Sequence, residues 1–552
     1  MHCLPESRRP TAAHRLRRCA AAACVVAAAL AGARATAAED AGPRFDLLEF
    51  EIDGNTVLDV AAVEQAVLPF LGPGRAMGDV ESARAALERA YQQAGYLTVF
   101  VDIPEQQVEG GIVRLHVAEG RVEKLRVTGS RYFSQGWIRS EAGELAEGRV
   151  PDFGVVQQQM AALNRNEQRR VQPVLKPGRL PGTVDVELQV KDELPAGVSL
   201  EVNNRHTYAT TPWRLNASAH YDNLWQRGHS LSATLIVAPD QPDRSRIWLA
   251  TYALPVGAES TLTAFAIWSN SLVEPLSAVS VAGKGFDLGL RYTRPLALFD
   301  IAGAPVSHNV QFGVDYKHFK TDTVTGEFGV LTPLHYLPFQ FGYSAARFGE
   351  STRTALNTQF VFALRDVFKR SVDCADAGRA DQFACSAKDA DGSFGYWRGE
   401  LQHDFGVGGG TSLGLHAGWQ LSLEPLVSNE RYAIGGVDSV RGYLDAAALG
   451  DRAIVLGAEW RTPNLAGSEA FAWQHALDDI TGYLFAEGGE VRVLNALPEQ
   501  PVHTTLRSAG LGLQWRAGRR ANGQFDLAFP FDRTSDTPSR DARLHVRLQV
   551  AL

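Results

Sequence analysis

In the stretch "GGVDSVRGY" (435–443) a single cation, Arg441, stands among three glycines and a closing aromatic, inside a long polar segment (427–452). The glycines let the backbone fold back and deliver Arg441 to a definite place. An arginine on a long loop is by default a solvated surface charge; taken out of water it needs a carboxylate. "GYLFAEGGEV" (482–491) offers one. Read as a strand, Tyr483, Phe485, Glu487 and Gly489 share one face, with Leu484, Ala486 and Gly488 opposite. If that strand lines a closed sheet with lipid outside, Glu487 faces inward and takes Phe485 with it. An inward aromatic beside an acid and a glycine is a docking place for a loop. The alternative is that Arg441 and Glu487 serve separate networks of interior charge.

Other chemistry finds little footing. The chain has no HExxH, no GxSxG and no GxxxxGK[ST] nucleotide loop, and its histidines are scattered. An enzyme is not expected, nor a metal or other cofactor. A net charge of -8 gives no basic footprint for nucleic acid. Two cysteines beyond the start, Cys374 and Cys385, lie in the polar stretch "SVDCADAGRADQFACSAKDADGS". In an oxidising compartment a local disulfide is the simplest reading, since no histidine lies between or beside them to complete a metal site.

The elements that must position these residues begin with an export signal. Five arginines between 8 and 18 precede the short apolar run "CAAAACVVAAALAG" (19–32), and small residues follow at Ala33, Ala35 and Ala37. These are the parts of a secretory signal peptide, assigned to 1–37, and the run is too short to span a bilayer as a helix. Residues 38–44 form a short linker. It leaves no room for a helix that could plug a pore, so blocking would fall to the folded loop.

Residues 45–194 contain an internal repeat. "FEIDGNTVLDVAAVEQAV" (50–67) matches "LRVTGSRYFSQGWIRSEA" (125–142): a strand, a glycine turn at Gly54 or Gly129, then an amphipathic helix. Each continues with a second helix and two strands, which makes two small α+β units, 45–119 and 120–194. The acids Glu119 and Asp192 are read as exposed joints.

From 195 to 552 period-two alternation takes over. In "LGLHAGWQLSL" (413–423) the odd positions are mostly apolar and the even ones small or polar. A soluble sandwich also alternates. Here, however, segments of bilayer-crossing length run through the whole region, with short connectors alternating with long ones. The expected fold is therefore two small α+β domains followed by a transmembrane antiparallel β-barrel of about sixteen strands. "GGVDSVRGY" falls between the eleventh and twelfth.

These parts resemble the outer-membrane transporters of two-partner secretion, the TpsB family (haemolysin secretion/activation, ShlB/FhaC/HecB-like). "VAEGRVEKLRVTGSRYFS" (117–134) resembles the junction between that family's periplasmic POTRA domains. "ALNRNEQRRVQPVLKPGRLPGTVDVELQV" (162–190) carries its Asn-Arg and double Pro-Gly signature at Asn164, Arg165, Pro177, Gly178, Pro181 and Gly182. Val440, Arg441, Gly442 and Tyr443 match its Val-Arg-Gly-aromatic loop tip. The resemblance implies that the arginine is held by an acid in a Phe-x-Asp-x-Gly motif on the thirteenth strand; here the acid is Glu487, one methylene longer. It implies a Gram-negative outer-membrane location, lipid around the barrel, and assembly by the barrel-assembly machinery. The partner it implies is an unfolded TpsA-like exoprotein of haemolysin or adhesin type. A monomer is expected. A sheet edge and helix in the first POTRA-like unit would grip that chain by strand addition, with Tyr91, Tyr96 and Phe100 as candidate contacts. The rival readings are a barrel-assembly factor, which the presence of only two periplasmic units disfavours, and a passive porin, for which those units would have no purpose.

Overall fold

The computed structural model describes residues 44–552, except 167, 209, 258, 272–273, 277–278, 282–283, 326–327, 369, 375–377, 468–476 and 499. The export signal expected over 1–37 lies outside the described residues, as does 38–43 of the linker.

The first α+β fold runs β1 (Glu49–Asp53), α1 (Val60–Val67), α2 (Met77–Gln93), β2 (Val99–Asp102) and β3 (Ile112–Glu119). Its sheet order is β1-β3-β2, with β1 parallel and β2 antiparallel to β3, so β2 is an edge. Helix α2 places Val80, Ala83, Leu87 and Tyr91 on one buried stripe, the spacing of a helix lying on a sheet. The second fold repeats the order with β4 (Arg121–Thr128), α3 (Gln135–Glu141), α4 (Phe153–Leu163), β5 (Arg169–Pro177) and β6 (Thr183–Asp192), in a sheet β4-β6-β5.

The sequence repeat has a common structural device. Gly54 and Gly129 sit at φ +85° and +81°, and a Cβ there would lie 2.2 Å from the Val117 carbonyl oxygen and 2.3 Å from that of Val190. Only glycine permits so close a backbone approach at that φ. Two residues past each valine stands an acid that caps the glycine turn. Glu119 accepts the amides of Thr56 (2.6 Å) and Val57 (3.1 Å). Asp192 accepts those of Tyr132 (2.8 Å) and Phe133 (3.2 Å). The two acids are therefore internal anchors and not exposed joints; the Glu119 side chain is 3% exposed.

The remainder is a closed antiparallel barrel of sixteen strands. They are β7 (Ala196–Asn203), β8 (Arg214–Leu224), β9 (His229–Val237), β10 (Arg246–Val256) and β11 (Ser260–Asn270). Next come β12 (Lys284–Pro295), β13 (Ala304–Thr325), β14 (Pro338–Phe348), β15 (Thr352–Ala363), β16 (Phe394–Gly408) and β17 (Thr411–Ser422). The last five are β18 (Arg452–Arg461), β19 (Asp479–Arg492), β20 (His503–Ala517), β21 (Ala521–Pro530) and β22 (Arg543–Ala551), and β22 closes on β7. Strand β13 outruns its partners and continues as a hairpin with Phe328–Tyr336.

Alternation sorts the two faces of the wall. Leu415 and Leu421 of β17 are exposed on the outside, while Gln420 is fully buried within. At the end of the chain Leu544, Leu548 and Val550 are exposed outward and His545 is buried. Among the described residues no helix is long and apolar enough to cross a membrane, so any crossing is made by the strands, whose backbone groups are satisfied by closure.

Candidate functional site

The long connector between β17 and β18 (423–451) turns back into the barrel. Its arms pair as two short strands, Tyr432–Ile434 and Ala448–Gly450. Gly436 (φ +87°) makes the fold-back possible, because a Cβ there would sit 1.7 Å from Asp445 Oδ1. The Ser439 hydroxyl accepts the Gly435 amide at 2.8 Å and closes the tip.

At that tip Arg441 is only 5% exposed. Its Nε donates to Glu487 Oε1 at 2.8 Å and its backbone amide to Glu487 Oε2 at 2.8 Å; Nη2 also reaches Oε1. Nη1 donates to Asp526 Oδ1 at 3.0 Å and Nη2 to Glu459 Oε2 at 2.9 Å. The guanidinium carbon lies 3.5 Å from the Phe485 ring centre, a cation–π contact. Arg461 balances part of the surplus negative charge by bridging Glu459 (2.8 Å) and Asp404 (2.7 Å).

The neighbours of Arg441 fix its placement. Val440 is buried with Ile434, Val455, Val491 and Leu506. The Gly442 amide donates to His545 Nε2 at 2.9 Å. The Tyr443 hydroxyl donates toward the Arg507 carbonyl (2.9 Å) and receives the Asp532 amide (3.0 Å). Gly489 is small by necessity, since a Cβ would meet Val455 and Val440 at 3.2 and 3.3 Å. The residues singled out in the loop and on β19 thus converge on one place. Asp526 and Glu459 complete it, and neither was singled out from the sequence. Parity within "NGQFDLAFP" (522–530) puts Asp526 on a face with Gln524, which marks it as inward; nothing in the sequence says which inward acid the loop reaches.

The base of the same loop has a second anchor. Glu430 is 1% exposed. Its Oε1 accepts from Lys317 Nζ and the Tyr336 hydroxyl, each at 2.6 Å, and its Oε2 accepts the Tyr396 hydroxyl at 2.6 Å. Gln420 Nε2 holds the carbonyls of Glu430 and Asp451, both at 3.1 Å. The base is thereby tied to β13, β16 and β17, whereas the tip is tied to β18, β19, β21 and β22. Two polar cavities, of ≈ 420 and ≈ 430 Å³, flank the loop inside the barrel.

The Pro-Gly pairs form the β5–β6 hairpin tip. Glu123 accepts the amides of Arg179 (2.7 Å) and Leu180 (3.1 Å) and the Thr183 hydroxyl (2.8 Å). The Thr183 hydroxyl first, then the Leu180 amide, hold its carboxyl below the usual range. A Cβ on Gly178 would lie 2.6 Å from the Glu123 carboxylate, and Gly182 takes φ +72°. Asn164 and Arg165 form the turn after α4, and Arg169, buried between Phe133 and Trp137, caps the helix by donating to the Leu163 carbonyl at 2.9 Å. Cys385 is disulfide-bonded; the Cys374 side chain lies outside the described residues.

Of the three candidate gripping aromatics, the two tyrosines go to the core and Phe100 stays exposed on the edge strand. Tyr91 is 0% exposed and donates to Asn55 Oδ1 at 2.6 Å, so it is core, and burial raises its hydroxyl pKa. Tyr96 packs on the same core. Phe100, 63% exposed, alternates with the buried Val99 and Val101 and faces away from the helix. The groove between α2 and the β2 edge, ≈ 560 Å³, is lined instead by residues including Met77, Val80, Arg84, Val101 and Ile103.

The fold and site together define a POTRA-bearing outer-membrane β-barrel. A family model described as "POTRA domain, ShlB-type" matches residues 45–120, and one described as "Haemolysin secretion/activation protein ShlB/FhaC/HecB" matches residues 340–515. Outer membrane transporter CdiB-2 of Burkholderia pseudomallei is 25% identical over 492 residues, covering 84% of this chain and 76% of that protein. The solved structure of CdiB from Escherichia coli is similar at a TM-score of 0.59 with 19% identity, covering 95% of this chain and 93% of that one. That of BamA from Haemophilus ducreyi lacking POTRA domains 1–3 is similar at 0.52 with 14% identity, covering 92% and 100%, a likeness of fold alone. The chain is thus similar to two-partner secretion transporters in both its POTRA region and its barrel, and it resides in the Gram-negative outer membrane with its POTRA region in the periplasm.

Proposed function

We propose that this transporter captures an unfolded TpsA-like exoprotein at the groove beside β2 and passes it through the barrel, with the Arg441 loop holding the wall in a transport-competent shape. Strand addition to the β2 edge gains backbone hydrogen bonds whatever the side chains of the incoming segment, which suits an unfolded chain. The sequence carries no nucleotide loop, so folding of the cargo outside supplies direction. The observation that carries this reading is the burial of Arg441 among Glu487, Asp526 and Glu459. A charge-assisted contact contributes about 1.5–3 kcal/mol, enough to favour a docked loop that can still be displaced. Deletion of the gene followed by proteomics of the culture medium tests it. Loss of one large exoprotein is expected; a general loss of outer-membrane barrels would replace this reading with an assembly role, and altered solute uptake alone with a porin.

A further inference from the structure

The outer rim of the wall at β12 and β13 carries cations that the transport site does not use. The POTRA folds precede β7 in the periplasm, so β7 starts at the inner rim and every second strand from β8 starts at the outer rim. Lys284 therefore opens β12 at the outer surface. Reading outward from the bilayer, β12 presents Leu290, Leu288, Phe286 and Lys284 on its exterior face. The paired face of β13 presents Val314, Tyr316, His318 and Lys320 at the same levels. Apolar residues thus give way to an aromatic girdle, as at a membrane interface, and then to charge.

Among the described residues that charge has no acidic partner. Lys284 and Lys320 are directly opposite in register, a placement that repels on a sheet surface. Neither lysine nor Arg370 is ion-paired among the described residues. Arg370 Nη1 donates to His335 Nε2 at 2.7 Å, and His335 Nδ1 lies 2.8 Å from His318 Nδ1. The His318 ring stacks on Phe286 with centres 5.1 Å apart, and Tyr316 contacts Phe368 at 5.5 Å. These aromatic rings thus lie beside three cations that have no acidic partner among the described residues, and an external anion would offset their repulsion. The outer leaflet of a Gram-negative membrane is lipopolysaccharide, whose lipid A carries phosphates at that depth above acyl chains.

We propose that Lys284, Lys320 and Arg370 form an exterior binding site for the lipid A phosphates of lipopolysaccharide, with Phe286 and Tyr316 against the first part of its acyl chains. The test uses the full-length protein in nanodiscs and native mass spectrometry, titrating bis-phosphorylated lipid A against lipid A stripped of phosphate. A cation near an anionic surface is worth about fivefold in affinity, so K284Q/K320Q/R370Q should bind bis-phosphorylated lipid A about a hundredfold more weakly. A control pair at the inner-rim turn, R519Q/R520Q, should bind as the parent does. All three cations are exposed, and heat-modifiable gel mobility verifies that each variant is a closed barrel. Equal binding by parent and triple variant, or equal binding of the stripped lipid, overturns the proposal. So does displacement of the lipid by millimolar inorganic phosphate, which would mark a site for free anions.

Discussion

Arg441 donates from Nη1 to Asp526 Oδ1 at 3.0 Å, which ties the returning loop to β21, two strands beyond the acid that motif and parity identify on β19. One guanidinium therefore joins three strands of the wall through Glu459, Glu487 and Asp526. A point charge cannot do this, whereas a planar fork of five donors can.

Removing the cation should undock the loop. In Arg441→Ala the buried Glu487 and Asp526 carboxylates lose their cation while Glu459 keeps Arg461, a loss of about 3–5 kcal/mol. That lowers the docked-to-undocked ratio by about a hundredfold or more. Arg441→Lys should fall between the two, since an ammonium cannot serve all three acids. The readouts are exoprotein in the medium and protease cleavage within 435–445 on intact cells. The reciprocal exchange of Arg441→Glu with Glu487→Arg should recover only part of the secretion, because the new acid stands beside Asp526 and Glu459. Adding Asp526→Asn should recover more, and a triple variant no better than the double would remove Asp526 from the dock.

How far this site could be read in advance follows from the range of each signal. Alternation is local, so the strands, their inward faces and the partnership of Glu487 with Phe485 were legible in "GYLFAEGGEV". The Arg441–Asp526 contact spans 85 residues and depends on barrel radius and on how the loop folds, neither of which is written in any short window. Glu430 misled in the opposite sense. "VSNERY" (427–432) has the composition of a solvated loop, yet its acid is buried because Lys317, Tyr336 and Tyr396, from distant strands, meet it. Tyr91 was ambiguous, since an amphipathic stripe does not say whether an aromatic fills the core or borders a groove.

Glu430 should behave as a second tether, separable from the first. Glu430→Ala strands the Lys317 ammonium in a buried site, a loss of about 3–5 kcal/mol. Tyr336→Phe and Tyr396→Phe should each cost about 1.5–3 kcal/mol by removing one bond to a charged acceptor. Limited proteolysis distinguishes the tethers: Arg431 becomes cleavable in the Glu430 variant while the tip stays protected. If both sites open together in every variant, the loop is held as a single unit and the two-tether view is wrong.

The β5–β6 hairpin should loosen in acid. Glu123 has its carboxyl held low by the Thr183 hydroxyl and the Leu180 amide. Its contribution is therefore complete above the unfolded carboxyl value of about 4.3 and is lost as pH falls through the lower folded value. Hydrogen exchange at Arg179 and Leu180, corrected for the intrinsic pH dependence, should show protection near neutrality and its loss in acid. Glu123→Ala should lack that protection at either pH. Unaltered protection in the variant would mean that the Pro-Gly turns hold the tip unaided.

The edge at β2 gives the sharpest test of cargo capture, because Arg84 guards it. Its Nη1 donates to the Val101 carbonyl at 3.3 Å while Glu81 (2.9 Å) and Glu88 (2.8 Å) hold the guanidinium. A charged side chain over an edge is a device against unwanted strand pairing, and an incoming segment must displace it. Arg84→Ala should then bind the exoprotein's unfolded amino-terminal region more tightly, by a few-fold, with some loss of selectivity against unrelated unfolded chains. Met77 is half exposed beside the same edge, and Met77→Asp puts a desolvated charge where cargo packs. It should weaken binding by about 1.5–3 kcal/mol, the transfer value of one buried side chain, without disturbing the core below. Surface plasmon resonance on the full-length transporter separates the two effects. Should both variants bind as the parent does, the exoprotein is recognised elsewhere, and the groove beside α2 is only the seam of a small domain.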